Sequence, residues 1–243
     1  MKKILLWAAV LCAGLAAMPV QAQNDGADAV IERYERATGL DRLSPSEMTC
    51  VMMEVVAEVQ GMAMPMTMVL KEPGKMNVDM EVAGQKMRMV TDGEKGWVSI
   101  PGQGTMPMPD EMMAQLREQT NVSQNYRWNK KDYSYKLAGE VQEGGRTYTG
   151  VLMTPKKPQP QVGNMVVYFD KENGLVSFLT MDIEQGGQTQ SARMNFSAYR
   201  SYGKVKLPSL YKMLVNGSPM MTLEIKALQY AYPAADSLFA KPE

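Results

Sequence analysis

Apolar residues recur at every second position through much of the chain. The period shows most plainly between Gly61 and Pro101. Met62, Met64, Met66 and Met68 alternate with Ala63, Pro65 and Thr67. A period of two is the side-chain period of a β-strand, so the four thioethers project from one face. The next segment repeats the pattern, with Met76, Val78, Met80 and Val82 on one face and Asn77, Asp79 and Glu81 on the other. Lys71-Glu72-Pro73-Gly74 supplies the turn between these segments and Val82-Ala83-Gly84-Gln85 the next. Met87 to Val90, the turn Thr91-Asp92-Gly93-Glu94, and Gly96 to Ile100 with Trp97 complete a predicted meander of four short strands.

Outside the meander, Asn24 or Asp25 can cap a helix that runs to about Thr38, with Gly39 as its stop. Ala27, Val30, Ile31, Tyr34 and Thr38 fall at helical spacing and form a face to dock on a sheet. Met48 to Gln60 reads as a first strand. Pro101 to Pro109, rich in Pro, Gly and Met, reads as a loop, and Asp110 to Thr120 as a short helix with Met112, Met113 and Leu116 on its apolar edge. Strands are then predicted at 133–139, 146–154, 164–170, 174–184, 188–199, 207–216 and 220–230, linked by Gly- and Asn-rich turns. Leu238 and Phe239 in the tail form an apolar latch. Strands this regular, without alternating helices, predict a mainly β, α+β chain: one antiparallel sheet, strongly curved or partly closed, with an N-terminal helix and a short lid or plug helix.

Fifteen of the 24 methionines lie between Met48 and Met113, and this concentration gives the methionine face two readings. It is a core in which Met replaces Leu and Val, or a deformable lining for an apolar ligand, because unbranched thioether chains repack around varied shapes. The second reading nominates Met62, Met64, Met66, Met68, Met76, Met80, Met87, Met89, Trp97, Met112, Met113 and Leu116 as cavity lining. The helix 110–120 is then either a mobile lid or a fixed plug.

Met1-Lys2-Lys3, an apolar run from Ile4 to Ala17 and the small-x-small end Val20-Gln21-Ala22 read as a secretory signal peptide. Residues 1–22 are therefore predicted to be removed, leaving 23–243 as a single exported, soluble domain. The apolar run is too short to span a bilayer. Without Lys2 and Lys3 the chain carries 24 basic against 26 acidic residues, which argues against nucleic-acid binding. One cysteine, Cys50, remains, so stability must come from packing rather than an internal disulfide.

Chemistry is sparse. The chain contains no histidine, which excludes His-based triads and the commonest metal ligand. The Gly-Gly pairs at 144–145 and 186–187 sit in hairpins rather than before helices, the wrong place for a phosphate loop. The chain therefore reads as a non-enzyme with no cofactor. Three classes stay open: a carrier of an apolar ligand, a thioether-based Cu(I)-binding protein, because soft donors suit Cu(I), and a non-catalytic scaffold that binds through an exposed sheet edge.

Several short motifs occur in a telling order. They are Tyr34-Glu35-Arg36-Ala37-Thr38-Gly39, Met64-Pro65-Met66-Thr67-Met68, Lys71-Glu72-Pro73-Gly74-Lys75-Met76 and Thr91-Asp92-Gly93-Glu94-Lys95-Gly96-Trp97, followed by Tyr199 to Pro208 and Ser237-Leu238-Phe239. Together they resemble the LolA/LolB-like outer-membrane lipoprotein-sorting family of the Gram-negative envelope, over nearly the whole exported chain. The resemblance implies a curved, incomplete β-barrel whose open side is covered by helices, with a cavity for acyl chains. It also implies a periplasmic monomer whose partners are an acylated lipoprotein or lipid and membrane proteins that deliver or accept it. The family's carriers place an arginine just after the Lys-Pro-type turn to tie strand to lid; here Asn77 stands there, which separates this chain from that release mechanism.

Overall fold

The computed structural model describes residues 20–82, 84–110, 112–113, 116, 133–156, 165–185 and 188–242. Most of the predicted signal peptide and most of the 110–120 segment lie outside these residues.

Helix α1 spans Val20–Thr38. It starts before the predicted cap at Asn24 or Asp25, because Gln21, Ala22 and Gln23 are good helix formers and nothing in them breaks the turn. It stops where predicted. Gly39 takes φ 75°, and a Cβ there would press on the backbone carbonyl of Lys204, so only glycine fits. Two short 3₁₀ turns, Leu40–Arg42 and Pro45–Met48, lead into the sheet. Ser44 and Glu47 cap the second reciprocally.

Thirteen strands follow among the described residues. They are β1 (Cys50–Val59), β2 (Met62–Lys71), β3 (Lys75–Val82), β4 (Gln85–Asp92), β5 (Gly96–Ile100), β6 (Gly104–Pro107), β7 (Tyr133–Glu143), β8 (Arg146–Pro155), β9 (Met165–Asp170), β10 (Val176–Gln185), β11 (Gln188–Tyr202), β12 (Val205–Val215) and β13 (Ser218–Tyr230). All are antiparallel neighbours in one curved open sheet, ordered β6-β5-β4-β3-β2-β1-β13-β12-β11-β10-β9-β8-β7. The order describes two meanders. One runs outward from β1 to β6; the other enters at the far edge, β7, and returns to pair β13 with β1.

Strand β6 corrects the prediction of a loop from Pro101 to Pro109. It is four residues at the sheet edge, where Pro107 can sit without breaking a ladder on its outer side. Pro65 inside β2 obeys the same rule. It pairs with Val56 of β1, but the β2–β3 ladder ends at Met66–Met80, so its missing N–H costs no bond.

Both faces of the sheet are used. On the front, α1 lays Ala27 and Ile31 on Tyr135, Val151, Val167, Phe169 and Val176. Beside it, Leu40, Leu43 and Met48 close one end over Val51, Met53, Leu70, Met76, Val78 and Leu207. On the back, the tail turns through a 3₁₀ turn, Asp236–Phe239, and buries Phe239 against Cys50, Val69 and Val90. This is the apolar latch predicted from Leu238 and Phe239.

The candidate site: a methionine face and the helix start above it

The register of the first meander sorts the predicted lining. Met62, Met64, Met66 and Met68 stand opposite Val59, Ala57, Val55 and Met53 of β1. Met66 pairs with Met80 and Met68 with Val78; Met80 in turn pairs with Met87, and Val78 with Met89. Because side chains alternate strictly, all these residues share the front face. Burial along it is graded. Met76 and Val78 are buried at the closed end, Met64, Met66, Met68, Met80, Met87 and Met89 are half-buried, and Met62 is 50% exposed at the open rim.

Trp97 does not belong to this face. It pairs with Val90, whose side chain lies in the Phe239 cluster on the back, whereas Gly96 and Val98 take the front positions. The turn after Thr91 sets that register, and a shift of one residue would have reversed it.

The predicted helix begins at Asp110. Asp110, Met112, Met113 and Leu116 are helical, and the Met113 N–H donates to the carbonyl of Pro109 at 3.1 Å. Met113 is buried and Leu116 packs on the front core. Met112 is 42% exposed, because residues adjacent on a helix point about 100° apart and cannot share one edge. The helix start is seated on glycine. A Cβ on Gly96 would come within 2.7 Å of the Met108 sulfur and would also collide with the Met113 sulfur, so the bare backbone of β5 makes the seat.

The sequence pattern also missed residues. On the front face of the second meander Met153 pairs with Met165 and Met165 with Met181, while Met194 pairs with Met213 and Met213 with Met221. These methionines are dispersed in the chain, and the register between successive strands aligns them. The band of thioethers thus crosses the β1–β13 junction rather than ending with the first meander.

A second concavity lies on the opposite face. An open groove of about 620 Å³ is lined by Glu54, Val56, Pro65, Thr67, Asp79 and Arg88, and also by Met66, Met80 and Met87 of the same strands. Its charged side chains alternate with the methionines along the strands. Asn77 is buried on this side. It accepts from Arg88 Nε at 2.7 Å and donates to Asp79 at 2.8 Å, while Arg88 Nη2 donates to the carbonyl of Leu238 at 3.1 Å. The residue after the Lys-Pro-type turn therefore holds Arg88 where it ties the sheet to the C-terminal tail.

Asp236 completes the tail's anchorage. Its carboxylate accepts from Lys75 Nζ at 2.9 Å and Lys71 Nζ at 3.0 Å, and these two hydrogen bonds hold its pKa down to about 2. Both lysines also lie over the Phe239 ring, about 6 Å from its centre. Cys50 beneath is buried, and desolvation pushes its thiol pKa up, away from reactive thiolate character.

No family model matches the sequence, and no curated protein matches it. Solved structures do. A putative outer membrane lipoprotein-sorting protein domain from Vibrio parahaemolyticus superposes with a TM-score of 0.57 at 9% identity, covering 89% of this chain and 97% of the other. A DUF1329 family protein from Desulfovibrio piger gives 0.57 at 14% identity, over 88% and 97%. A LolA superfamily protein from Nitrosomonas europaea gives 0.55 at 14% identity, also over 88% and 97%. The class is therefore defined: this chain has a LolA-like fold, a curved open antiparallel sheet with helical elements on its concave side. The agreement spans nearly the whole length of each partner at an identity that carries the architecture alone.

Proposed function

We propose that the protein is a non-enzymatic periplasmic carrier for acylated ligands, a lipid or a lipoprotein, in outer-membrane lipoprotein sorting. The observation that carries this reading is the gradient on the methionine face. Its closed end is a packed core, its middle is half-buried, and its rim ends at exposed Met62. An acyl chain entering at Met62 would lie along Met64, Met66 and Met68 toward the buried Met76, with Met80, Met87 and Met89 beside it. Thioether chains adapt to a flexible guest at little cost. Each methylene removed from water contributes about 0.8 kcal/mol, so a dozen supply enough to displace a weakly seated helix.

Met113 and Leu116 are the side chains such a guest would displace, and Met108 and Gly96 form the hinge end that stays. Support also comes from the fold shared with a structure described as a lipoprotein-sorting domain. Residues 1–22 act as the export signal in this reading, and 23–243 work as a single monomeric domain. No helix among the described residues is long and apolar enough to cross a membrane. Membrane proteins that deliver and accept the cargo are its partners.

Mass spectrometry of the protein purified natively from its own periplasm tests the proposal. A co-purifying acylated molecule is expected, displaced by a fluorescent fatty acid. A protein that carries no acylated species and does not bind the fluorescent probe would overturn it.

A further inference from the structure

Among the described residues, no three His, Cys, Asp or Glu side chains are placed to hold a metal ion. Thioethers are another matter. Met66, Met80 and Met87 stand in one row across three adjacent strands, each directly opposite the next, and all three are half-buried. Facing Cβ atoms in such a row lie about 4.5–5.5 Å apart. With three rotatable bonds per side chain, the outer two sulfurs can lean inward until all three meet above the central strand.

The same face has two more rows, Met153–Met165–Met181 and Met194–Met213–Met221. Their settings differ. Met153 and Met165 pack on the α1 cluster. The Met194 row is flanked by Ala192 and Phe196 on its own strand. The Met66 row alone is flanked by further thioethers, with Met64 and Met68 two residues from Met66 on β2 and Met89 two residues from Met87 on β4. Met66, Met80 and Met89 pack at the margin of the front core, whereas Met87 and Met64 belong to none of the three apolar core clusters.

We propose that Met66, Met80 and Met87 form a three-coordinate thioether site for Cu(I), with Met64 or Met89 as an additional donor. Neutral, soft sulfur donors match a soft monovalent cation and offer nothing to Mg²⁺ or Ca²⁺, which require oxygen. The half-buried position leaves the uncompensated positive charge near water, which avoids the cost of enclosing it. Binding replaces the donors of a Cu(I) complex in solution by three sulfurs; no electron is transferred. Thioethers carry no proton to lose, so affinity should not change with pH, unlike a thiolate or imidazole site. The inference stands apart from the carrier reading, since it concerns sulfur donation and not apolar burial.

The test is an anaerobic titration of the exported chain with Cu(I) buffered by a competing chelator, repeated with Ag(I). Wild type should take up one equivalent with an affinity that is flat between about pH 5.5 and 8. The triple variant M66L/M80L/M87L should bind at least about tenfold more weakly, and M80L alone should show most of that loss should the triple variant not fold. M194L/M213L/M221L and Cys50→Ala should bind as wild type. Leu nearly conserves volume, so M66L/M80L/M87L should still bind the fluorescent fatty acid, which separates failure of this site from failure of the carrier reading. No uptake by wild type, undiminished uptake by M80L and the triple variant, or loss in Cys50→Ala would overturn the proposal.

Discussion

Arg88 Nε donates to the side-chain oxygen of Asn77 at 2.7 Å, and through this bond the third and fourth strands are joined to the C-terminal tail. Asn77 is 1% exposed and spends both ends of its amide, one on Arg88 and one on Asp79. Replacing it by Ala removes both partners and leaves a buried gap beside the latch. Asn77→Ala is expected to lower stability by about 1–3 kcal/mol in urea unfolding and to make the tail after Tyr232 susceptible to proteolysis. Unchanged stability and an intact tail would show that the network is incidental.

Phe239 supplies the latch's apolar part. It is 1% exposed and fills the space over Cys50, Val69 and Val90. Truncation leaves a cavity in a site walled by sheet, which can collapse only in part. Phe239→Ala is expected to cost about 3–5 kcal/mol by equilibrium unfolding. Binding on the front face should survive wherever the variant remains folded, because the sheet separates the two surfaces.

The latch also carries a pH dependence with a definite sign. The Asp236 pKa is lowered from 3.8 to about 2 by Lys75 and Lys71. A depressed carboxylate stabilises the folded state above its unfolded value and loses that contribution as pH falls through the folded one. Between about pH 4 and 2 the tail should therefore loosen, and the protection of the Leu238 and Phe239 amides, measured against the unstructured chain at the same pH, should fall. Asp236→Asn should already exchange faster at neutral pH and change less over that window. Identical profiles for the two proteins would show that the lysine pair does not hold the tail.

Met66 tests the front face. It pairs with Val55 on one side and Met80 on the other, in the half-buried middle of the band. Met66→Asp places a carboxylate where an acyl chain would lie, with no cation on that face of β1–β3 to pair it, and should weaken binding of a fluorescent fatty acid at least about tenfold. Met66→Leu should bind within about threefold of wild type, because the exchange nearly conserves volume. Equal binding by a folded Asp variant would remove the acyl chain from this face.

The helix start at Asp110 should open more readily than the β10–β11 pair. It rests on Gly96 through Met108 and Met113, whereas β10 and β11 hold a continuous ladder from Phe178–Asn195 to Gln185–Gln188. Hydrogen exchange at Met113 should be faster than at Leu179 in the empty protein, and an acylated ligand should change the former more than the latter. Equal protection at both, unaltered by ligand, would make the helix a fixed plug.

Local pattern determined a large share of this protein by itself. Period-two methionines, Gly-rich turns and the Leu238–Phe239 tail were sufficient for the strands of both meanders except β6, the front face of β2 and β3, and the latch, since each depends on residues adjacent in the chain. Tertiary structure decided what depends on register between segments. The turn after Thr91 sends Trp97 to the back with Val90, edge position makes a strand of Gly104–Pro107, and helical geometry turns Met112 away from Met113. Pairing of β1 with β13 brings the scattered methionines of the second meander onto the face of the first. A strand's own residues specify which side chains share a face, but only its hydrogen-bonded neighbour specifies which face of the sheet that is.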